Sequence, residues 1–188
     1  LRMSILKVAR MGHPVLRAKA RTIDPAEITT PAFQQLIDDM FQTMREYQGI
    51  GLAAPQVHEG LRLFVAGLRP SKSLSTLSDD DDMPYVALIN PEITPASDEI
   101  EMDWEGCLSI PDIRGLVPRA RKITVKAWNR DGKRIELAAS GLPARVIQHE
   151  TDHLDGVLFF DRMRTFESLT YLDEYQKYWR RDDDGEDE

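Results

Sequence analysis

Two histidines and a glutamate in the last third of the chain have the residue types and the spacing of a metal site. The chain has four histidines, and two of them, His149 and His153, lie four residues apart with Glu150 between them. On a helix this spacing puts both imidazoles on one face, one turn apart, where they can chelate one metal ion. Glu150 then projects nearby as a candidate base. The alternative is a chance match on a solvated helix, because short motifs give false positives.

A catalytic site of this kind needs a third protein ligand and keeps its fourth position for water. One source is downstream, where Glu167 or Glu174 would serve as in zincin-type endopeptidases. The other is Cys107, the single cysteine, which is preceded by Gly106 and followed by a rigid Ser-Ile-Pro bend. A lone cysteine is more often an inert buried residue, and it can also be a nucleophile. The histidine motif alone therefore leaves the third ligand open.

The bulk composition indicates one globular domain. A chain of 188 residues that is 41% hydrophobic can bury a sound core, and it has no apolar run long enough to span a bilayer. Its net charge of −8 argues against a general nucleic-acid-binding surface. One cysteine cannot form an intramolecular disulfide, which favours a reducing, cytoplasmic setting. Residues 7–17 lack the apolar region of a secretory signal.

The sequence predicts an α+β fold, in which short, mostly antiparallel strands surround a central metal-binding helix. Apolar residues at three- and four-residue steps predict an N-terminal amphipathic helix over residues 31–47, ended by Gly49. Strands are predicted at residues 61–68, 85–89, 118–129 and 134–139. Residues 129–132 form the turn of a hairpin. Residues 141–143 open the metal-binding helix, which ends at Gly156.

We predict one catalytic domain over residues 1–166. Within it, residues 69–84 are serine-rich with four consecutive aspartates, which is typical of a mobile surface insertion. Residues 167–188 form a C-terminal extension with a disordered acidic tail from residue 182. A terminal helix is expected over residues 166–179.

Three motifs, taken in order along the chain, resemble the signature motifs of peptide deformylases. They are Gly-Ile-Gly-Leu-Ala-Ala-Pro-Gln at 49–56, Glu-Gly-Cys-Leu-Ser at 105–109 and Gln-His-Glu-Thr-Asp-His at 148–153. Each motif alone is weak to moderate evidence, whereas three in order at this spacing are specific. The resemblance implies a hydrolase that removes the N-formyl group from the initiator methionine of new polypeptides and releases formate.

The resemblance also implies roles for individual residues. The metal ligands would be Cys107, His149 and His153, with water in the fourth position. Glu150 would accept a proton from that water and pass it to the departing amine. The oxyanion formed on the substrate would be held by the metal, the Gln56 side-chain amide and the Leu108 backbone N–H.

The resemblance places the substrate backbone along the segment that contains Gly51, in a strand-like pairing. Apolar candidates for the methionine pocket, with core packing as the competing role, are Ile50, Leu108 and Val146. Glu105 and Arg114 are candidates for orienting the ligands or the loop, with Arg114 also a substrate-binding candidate and a plain surface salt bridge as the alternative. Arg145 replaces an aliphatic residue of many relatives, and we expect its stem at the pocket mouth.

A thiolate with two imidazoles suits Zn²⁺, and also Fe²⁺, Ni²⁺ or Co²⁺. The resemblance favours Fe²⁺ in cells. The expected partners are N-formylmethionyl nascent peptides, without DNA or membrane. Lys177, Arg180 and Arg181 are followed at once by the acidic tail, which RNA phosphates would repel, so we expect no strong docking to the ribosome. A bacterial cytoplasm is the expected location, and an organelle form stays open.

Two other functions compete with the deformylase hypothesis. In a zincin-type endopeptidase the third ligand is downstream, so Cys107→Ser would leave activity intact. In a metal-stabilised binding module the chemistry is absent. The presence of Glu150, Gln56 and Cys107 argues against the module, because a closed structural zinc site needs a fourth protein ligand rather than a base.

Overall fold

The computed structural model describes residues 4–68, 76–77 and 83–180. The helices are α1 (Pro25–Ile28), α2 (Pro31–Glu46), α3 (Gly141–Leu154) and α4 (Leu172–Tyr178). The strands are β1 (Gly51–Ala53), β2 (Leu63–Ala66), β3 (Thr76–Leu77), β4 (Val86–Pro95), β5 (Ile100–Cys107), β6 (Ile110–Ala120), β7 (Lys122–Trp128), β8 (Arg134–Ser140) and β9 (Thr170–Tyr171). Short 3-10 helices lie at Pro14–Leu16, Ala54–Val57 and Phe159–Arg162.

The strands form two sheets. Within the described ranges, the larger sheet has the order β1-β2-β4-β7-β8-β3, with antiparallel neighbours except for the parallel pair of β3 and β8. The smaller sheet has the order β5-β6-β9 and is antiparallel. The α+β class predicted from the sequence is confirmed.

Helix α2 follows the start and stop signals of its sequence. The Thr30 hydroxyl accepts a hydrogen bond from the Phe33 N–H at 3.4 Å, and Pro31 occupies the first turn, where its missing N–H costs nothing. The predicted apolar stripe is buried along one face. The helix ends at Glu46, and the left-handed residue beyond it is Gln48 (φ 55°) rather than the expected Gly49.

Helices α2 and α3 cover opposite faces of the larger sheet. On β2, Phe64 packs in the apolar cluster that contains Val146 of α3, and the next residue, Val65, packs in the cluster that contains Met40 of α2. Successive strand residues point to opposite faces, so a strand between two helices is buried on both. The other side of α3 contacts the smaller sheet, which makes it the central helix that the sequence predicted.

The hairpin predicted around residues 129–132 is present as β7 and β8. The Asn129 side-chain oxygen accepts hydrogen bonds from the backbone N–H groups of Asp131 and Lys133, and Gly132 takes the positive φ of 72° that the turn requires. The strand predicted over residues 118–129 is present as β7, but it begins later than predicted, because residues 118–120 belong to the end of β6.

The C-terminal helix is shorter than the predicted range of 166–179. Before α4 begins, Thr170 and Tyr171 pair with Arg114 and Ile113 of β6, which extends the backbone there. Most of the expected insertion at 69–84 and the tail from residue 182 lie outside the described residues. The division into a catalytic domain and an extension stays a prediction. None of the helices described is long and apolar enough to cross a membrane.

Candidate active site

Three side chains from two elements form a group that could hold a metal ion. Cys107 is the last residue of β5, and His149 and His153 lie one turn apart on α3. One ligand atom from each lies within 4.8 Å of the others, and Cys107 Sγ is 3.3 Å from His153 Nε2. The group found among the described residues includes neither Glu167 nor Glu174. The downstream third ligand of the endopeptidase hypothesis is therefore absent from this group.

Helix α3 is attached to the smaller sheet by a residue that the sequence analysis did not single out. Gln148 donates from its side-chain amide to the Ala120 carbonyl at 2.8 Å and accepts from the Ala120 N–H at 3.1 Å. This pair of bonds helps to fix α3 against β6, and thereby helps to fix where His149 lies relative to Cys107. A glutamine beside a histidine motif carries no signal of such a contact, because its partner is backbone.

The orientation of His149 is set by a buried carboxylate. His149 Nδ1 lies 2.8 Å from Glu105 Oε2, which leaves Nε2 to face the ligand group. Arg119 donates twice to Glu105 at 2.9 and 3.0 Å, and Arg145 donates once at 2.9 Å. Burial alone would raise the pKa of Glu105, but the hydrogen bonds from His149 and Arg119 outweigh it and hold that pKa well below its usual range. Glu105 therefore fixes the orientation of the His149 ring, and because its carboxylate is buried, the surface salt bridge considered for it is wrong.

The charge network continues away from the ligands along α3. Arg119 donates to Asp152 at 2.6 Å, and Arg162 donates to the same carboxylate at 2.8 and 3.1 Å. Arg145 also donates to the carbonyls of Val117 and Glu101, both at 2.8 Å. We expected the Arg145 stem at the pocket mouth. Arg145 does border the cavity described below, but its guanidinium is buried against Glu105.

Glu150 lies beside the ligand group without a protein partner for one of its oxygens. The residue is 4% exposed, and its Oε2 makes no hydrogen bond within the described part of the chain. Burial raises the pKa of this carboxyl to about 7. Gly51 faces it so closely that a Cβ there would overlap Oε1 of Glu150. The glycine in the first motif thus makes room for the carboxyl in the third, a relation that spacing along the chain does not reveal.

Gln56 is held in one orientation by hydrogen bonds at both ends of its amide. Its Oε1 accepts from the Ala53 N–H at 2.8 Å, and its Nε2 donates to Ser109 Oγ at 3.1 Å and toward Cys107 Sγ at 3.5 Å. Gln56 is 1% exposed in the 3-10 helix after β1. Its donor end is consequently directed at the ligand group. Ser109, which the sequence analysis treated as part of a bend, keeps it there.

A cavity of about 920 Å³ opens beside these groups. It is bordered by Cys107, His149, Glu150 and Gln56, and His153 lies behind them at 1% exposure. The five predicted substrate-binding residues also line it, namely Ile50, Gly51, Leu108, Arg114 and Val146.

The five lining residues differ in environment. Val146 is buried at 5% exposure and Ile50 is 37% exposed, so the apolar lining runs from the interior to the rim. Arg114 lies over Gly106, where a Cβ would overlap its guanidinium, and it donates to the Ile113 carbonyl at 2.9 Å. It forms no ion pair within the described residues, so the salt bridge considered for it is not found. Trp104 and Leu172 line the cavity as well, and the sequence analysis did not predict either.

Comparisons with known proteins agree on one family. The family model described as polypeptide deformylase matches residues 5–168. The chain is 48% identical over 159 residues to a peptide deformylase of Stenotrophomonas maltophilia, covering 85% of this chain and 87% of that one. It is 43% identical over 166 residues to peptide deformylase 1 of Bordetella pertussis, covering 88% and 92%.

A solved structure extends this likeness to three dimensions. The crystal structure of a class I type b peptide deformylase from Acinetobacter baumannii, with Met-Ala-Ser bound, superposes with a TM-score of 0.78. It is 37% identical and covers 86% of this chain and 100% of its own. With its three motifs gathered around one cavity and these matches over most of its length, the chain belongs to the polypeptide deformylase family, whose members remove the N-terminal formyl group from nascent peptides.

Proposed function

We propose that the cavity is the place of deformylation in this enzyme and that Cys107, His149 and His153 hold its metal ion. The observation that carries the proposal is Glu150, a buried carboxyl with an unpartnered oxygen beside a Cys/His/His group. A purely structural site would gain nothing from a carboxyl in that place, because burying it without a partner costs free energy. A base next to an open metal position is instead what amide hydrolysis requires.

The donor set fits a divalent transition metal. Thiolate and imidazole are the ligands that Fe²⁺, Zn²⁺, Ni²⁺ and Co²⁺ accept, and three protein ligands leave one position for water. Cys107 and His149 border the cavity, so the open position would face the substrate. We propose Fe²⁺ as the ion in cells and Zn²⁺, Ni²⁺ or Co²⁺ as replacements in purified protein.

The residues around the group divide the chemistry between them. When bound, the metal lowers the pKa of a water molecule and polarises the formyl oxygen. Glu150 would take a proton from that water and would later give it to the departing amine, because its carboxyl borders the cavity and one of its oxygens has no protein partner among the described residues. Gln56 Nε2 and the backbone N–H of Leu108 donate hydrogen bonds to the oxyanion. The fixed amide of Gln56 supports this role, because its donor end needs no reorientation.

The substrate backbone would pair with β1 as an added strand. β1 is at one edge of the larger sheet and pairs only with β2 within the described residues, so Gly51 offers backbone groups to a peptide. The methionine side chain would then enter the apolar part of the cavity between Val146, Leu108 and Ile50. Arg114, at the other wall, would bind substrate residues or carbonyls beyond the methionine.

We also propose a location and further partners for this enzyme. We place the enzyme in a bacterial cytoplasm, acting on nascent chains near the ribosome without strong docking through its C-terminal end. Ribosome pelleting at several salt concentrations tests this proposal. Tight, salt-dependent association that is lost on truncation after Phe166 would contradict it.

Formate release from formyl-Met-Ala-Ser, run beside the acetylated peptide and with the metal quantified, tests the function directly. We expect formate from the first peptide and no acetate from the second. Cys107→Ser should remove both the metal and the activity, whereas an endopeptidase with a downstream ligand would keep both. Hydrolysis of the acetylated peptide at a similar rate would contradict a formyl-specific site.

A further inference from the structure

Two residues outside the three motifs, both half-buried, form part of the cavity wall. Trp104 comes from β5, immediately before Glu105, and Leu172 is the first residue of α4. Both line the cavity. Strand alternation puts Trp104 on the face opposite Glu105, so the tryptophan is directed away from the buried charge network. An apolar wall on the solvent side of a polar catalytic centre is where a side chain of a longer substrate would pack.

The C-terminal segment fixes the position of this wall. The Trp104 ring lies 4.9 Å from the Tyr175 ring and 6.0 Å from the Trp179 ring, measured between centroids. The β9 pairing of Thr170 with Arg114 holds the start of α4 against β6. Contacts of this kind immobilise the tryptophan before any peptide binds, so binding does not have to supply the ordering entropy.

The dimensions favour contact with a residue soon after the methionine. Trp104 precedes Cys107 by three residues, which is at most about 10 Å along β5, because the pairing with β6 is irregular between Glu105 and Cys107. An extended peptide advances about 3.3–3.6 Å per residue, so a chain that begins at the metal reaches this distance within two or three residues. The cavity of about 920 Å³ is also near the top of the roughly 300–1,000 Å³ range of ligand pockets, which leaves room for more than the methionine.

We infer that Trp104 and Leu172 form a specificity wall that selects nascent peptides with a large apolar side chain at the second or third position. This inference rests on the proposed function and deepens it, because it names a substrate class within the formyl-methionyl peptides. It also gives the C-terminal segment a role at the site, in place of docking elsewhere.

The test compares kcat/KM for formyl-Met-Ala-Ser, formyl-Met-Leu-Ser and formyl-Met-Ala-Leu in the metal-loaded enzyme. One leucine peptide should exceed formyl-Met-Ala-Ser by about tenfold, the lower end of what an apolar group in a pocket contributes to discrimination. Leu172→Ala and Trp104→Ala should bring that ratio close to one. Tyr178→Ala is the matched control, because Tyr178 belongs to the same helix, is 62% exposed and does not line the cavity. It should keep the full ratio.

A wild-type ratio near one for both leucine peptides would overturn the inference. So would a full ratio in Leu172→Ala and Trp104→Ala together with a lowered melting temperature, since that result would assign these residues to anchoring the C-terminal segment. If the wild type released formate from none of the peptides, the proposed function would fail instead. Binding of the products Met-Ala-Leu, Met-Leu-Ser and Met-Ala-Ser by calorimetry would then still decide whether the wall prefers leucine.

Discussion

Two buried glutamates, Glu105 on β5 and Glu150 on α3, differ in the hydrogen bonds that their carboxyl groups accept. Toward β5 and β6, Glu105 accepts hydrogen bonds from Arg119, Arg145 and the His149 ring. Toward the cavity, Glu150 has one oxygen that no described residue contacts with a hydrogen bond. Both carboxyls are nearly inaccessible, at 6% and 4% exposure, yet the pKa of the first is lowered and that of the second is raised to about 7.

The difference shows that burial alone does not determine the state of a carboxyl. Desolvation disfavours the ionised form of both, and only Glu105 has enough donors to reverse its effect. A fully paired carboxylate cannot exchange protons near neutral pH, so it can only position its neighbours. An unpaired carboxyl can exchange protons, at a cost in stability that the rest of the fold must offset.

The largest effect is expected from Glu150→Gln. This change keeps the shape and removes the proton-transfer group, so kcat for formyl-Met-Ala-Ser should fall by roughly 10²–10⁴-fold. Metal content by mass spectrometry and the melting temperature should stay at or above the wild-type values, because an unpartnered acid has been lost. Glu174→Gln on exposed α4 is the control. Unchanged formate release from Glu150→Gln would disprove the mechanism.

Glu105→Gln should mainly lower the free energy of unfolding. It leaves Arg119 and Arg145 buried without their shared carboxylate, and breaking a buried ion pair costs about 3–5 kcal/mol. Urea unfolding of the metal-loaded protein measures this loss. Asp38→Asn removes the exposed pair with Arg130 and should cost no more than about 1 kcal/mol. Equal losses for the two variants would mean that the buried network is not what holds α3 to the smaller sheet.

Gln56→Leu removes the side-chain amide that we propose as a hydrogen-bond donor to the oxyanion. Loss of one oxyanion donor lowers kcat by about 10²–10³-fold, and we expect KM for formyl-Met-Ala-Ser to change far less. Ser109→Ala is the matched variant, since it removes only the hydroxyl that positions Gln56 Nε2 at 3.1 Å. Its loss should be smaller. If Ser109→Ala were as damaging as Gln56→Leu, the hydroxyl itself would be the group that acts.

The smallest effect is expected from Glu27→Gln, which removes a solvent-exposed carboxylate that is paired with Arg21. The hydrogen bond from Arg21, helped by the Asp24 backbone, lowers the pKa of Glu27 to about 2 from its ordinary 4.5. A folded-state pKa below the unfolded one means that the pair stabilises the fold above about pH 4.5 and that this contribution disappears as pH falls toward 2. Urea midpoints between pH 5 and 2.5 should therefore fall slightly less steeply for Glu27→Gln than for the wild type. Identical slopes would show that the pair contributes nothing.

Much of the site could be predicted because its residues lie in short motifs of distinctive composition. His149 and His153 require only a helix to be brought together, and the apolar pattern around them indicates one. Cys107 required the second motif, because nothing in a lone cysteine distinguishes a ligand from a core residue. The hairpin at Asn129 and the start of α2 were predictable for the same reason, since their side chains bond to their own local backbone.

The parts that escaped prediction depend on contacts between distant segments. Arg119 could not be recognised as a buried residue, because its partners Glu105 and Asp152 lie in other segments of the chain. Trp104 and Leu172 could not be predicted as neighbours of the site, because they are 68 residues apart in the chain and only the fold brings both to the cavity.

The sequence by itself determined the chemistry available to this protein: a thiolate, two imidazoles, a carboxyl and an amide, in motifs that belong to one family. Only the tertiary structure decided what each polar group does. Glu105 and Glu150 are the same type of residue, and each lies close to a proposed metal ligand in the sequence. Glu150 directly follows His149, and Glu105 precedes Cys107 by two residues. Packing surrounds one with arginines and leaves the other facing Gly51 and the cavity, and a pKa depends on those surroundings rather than on the residue.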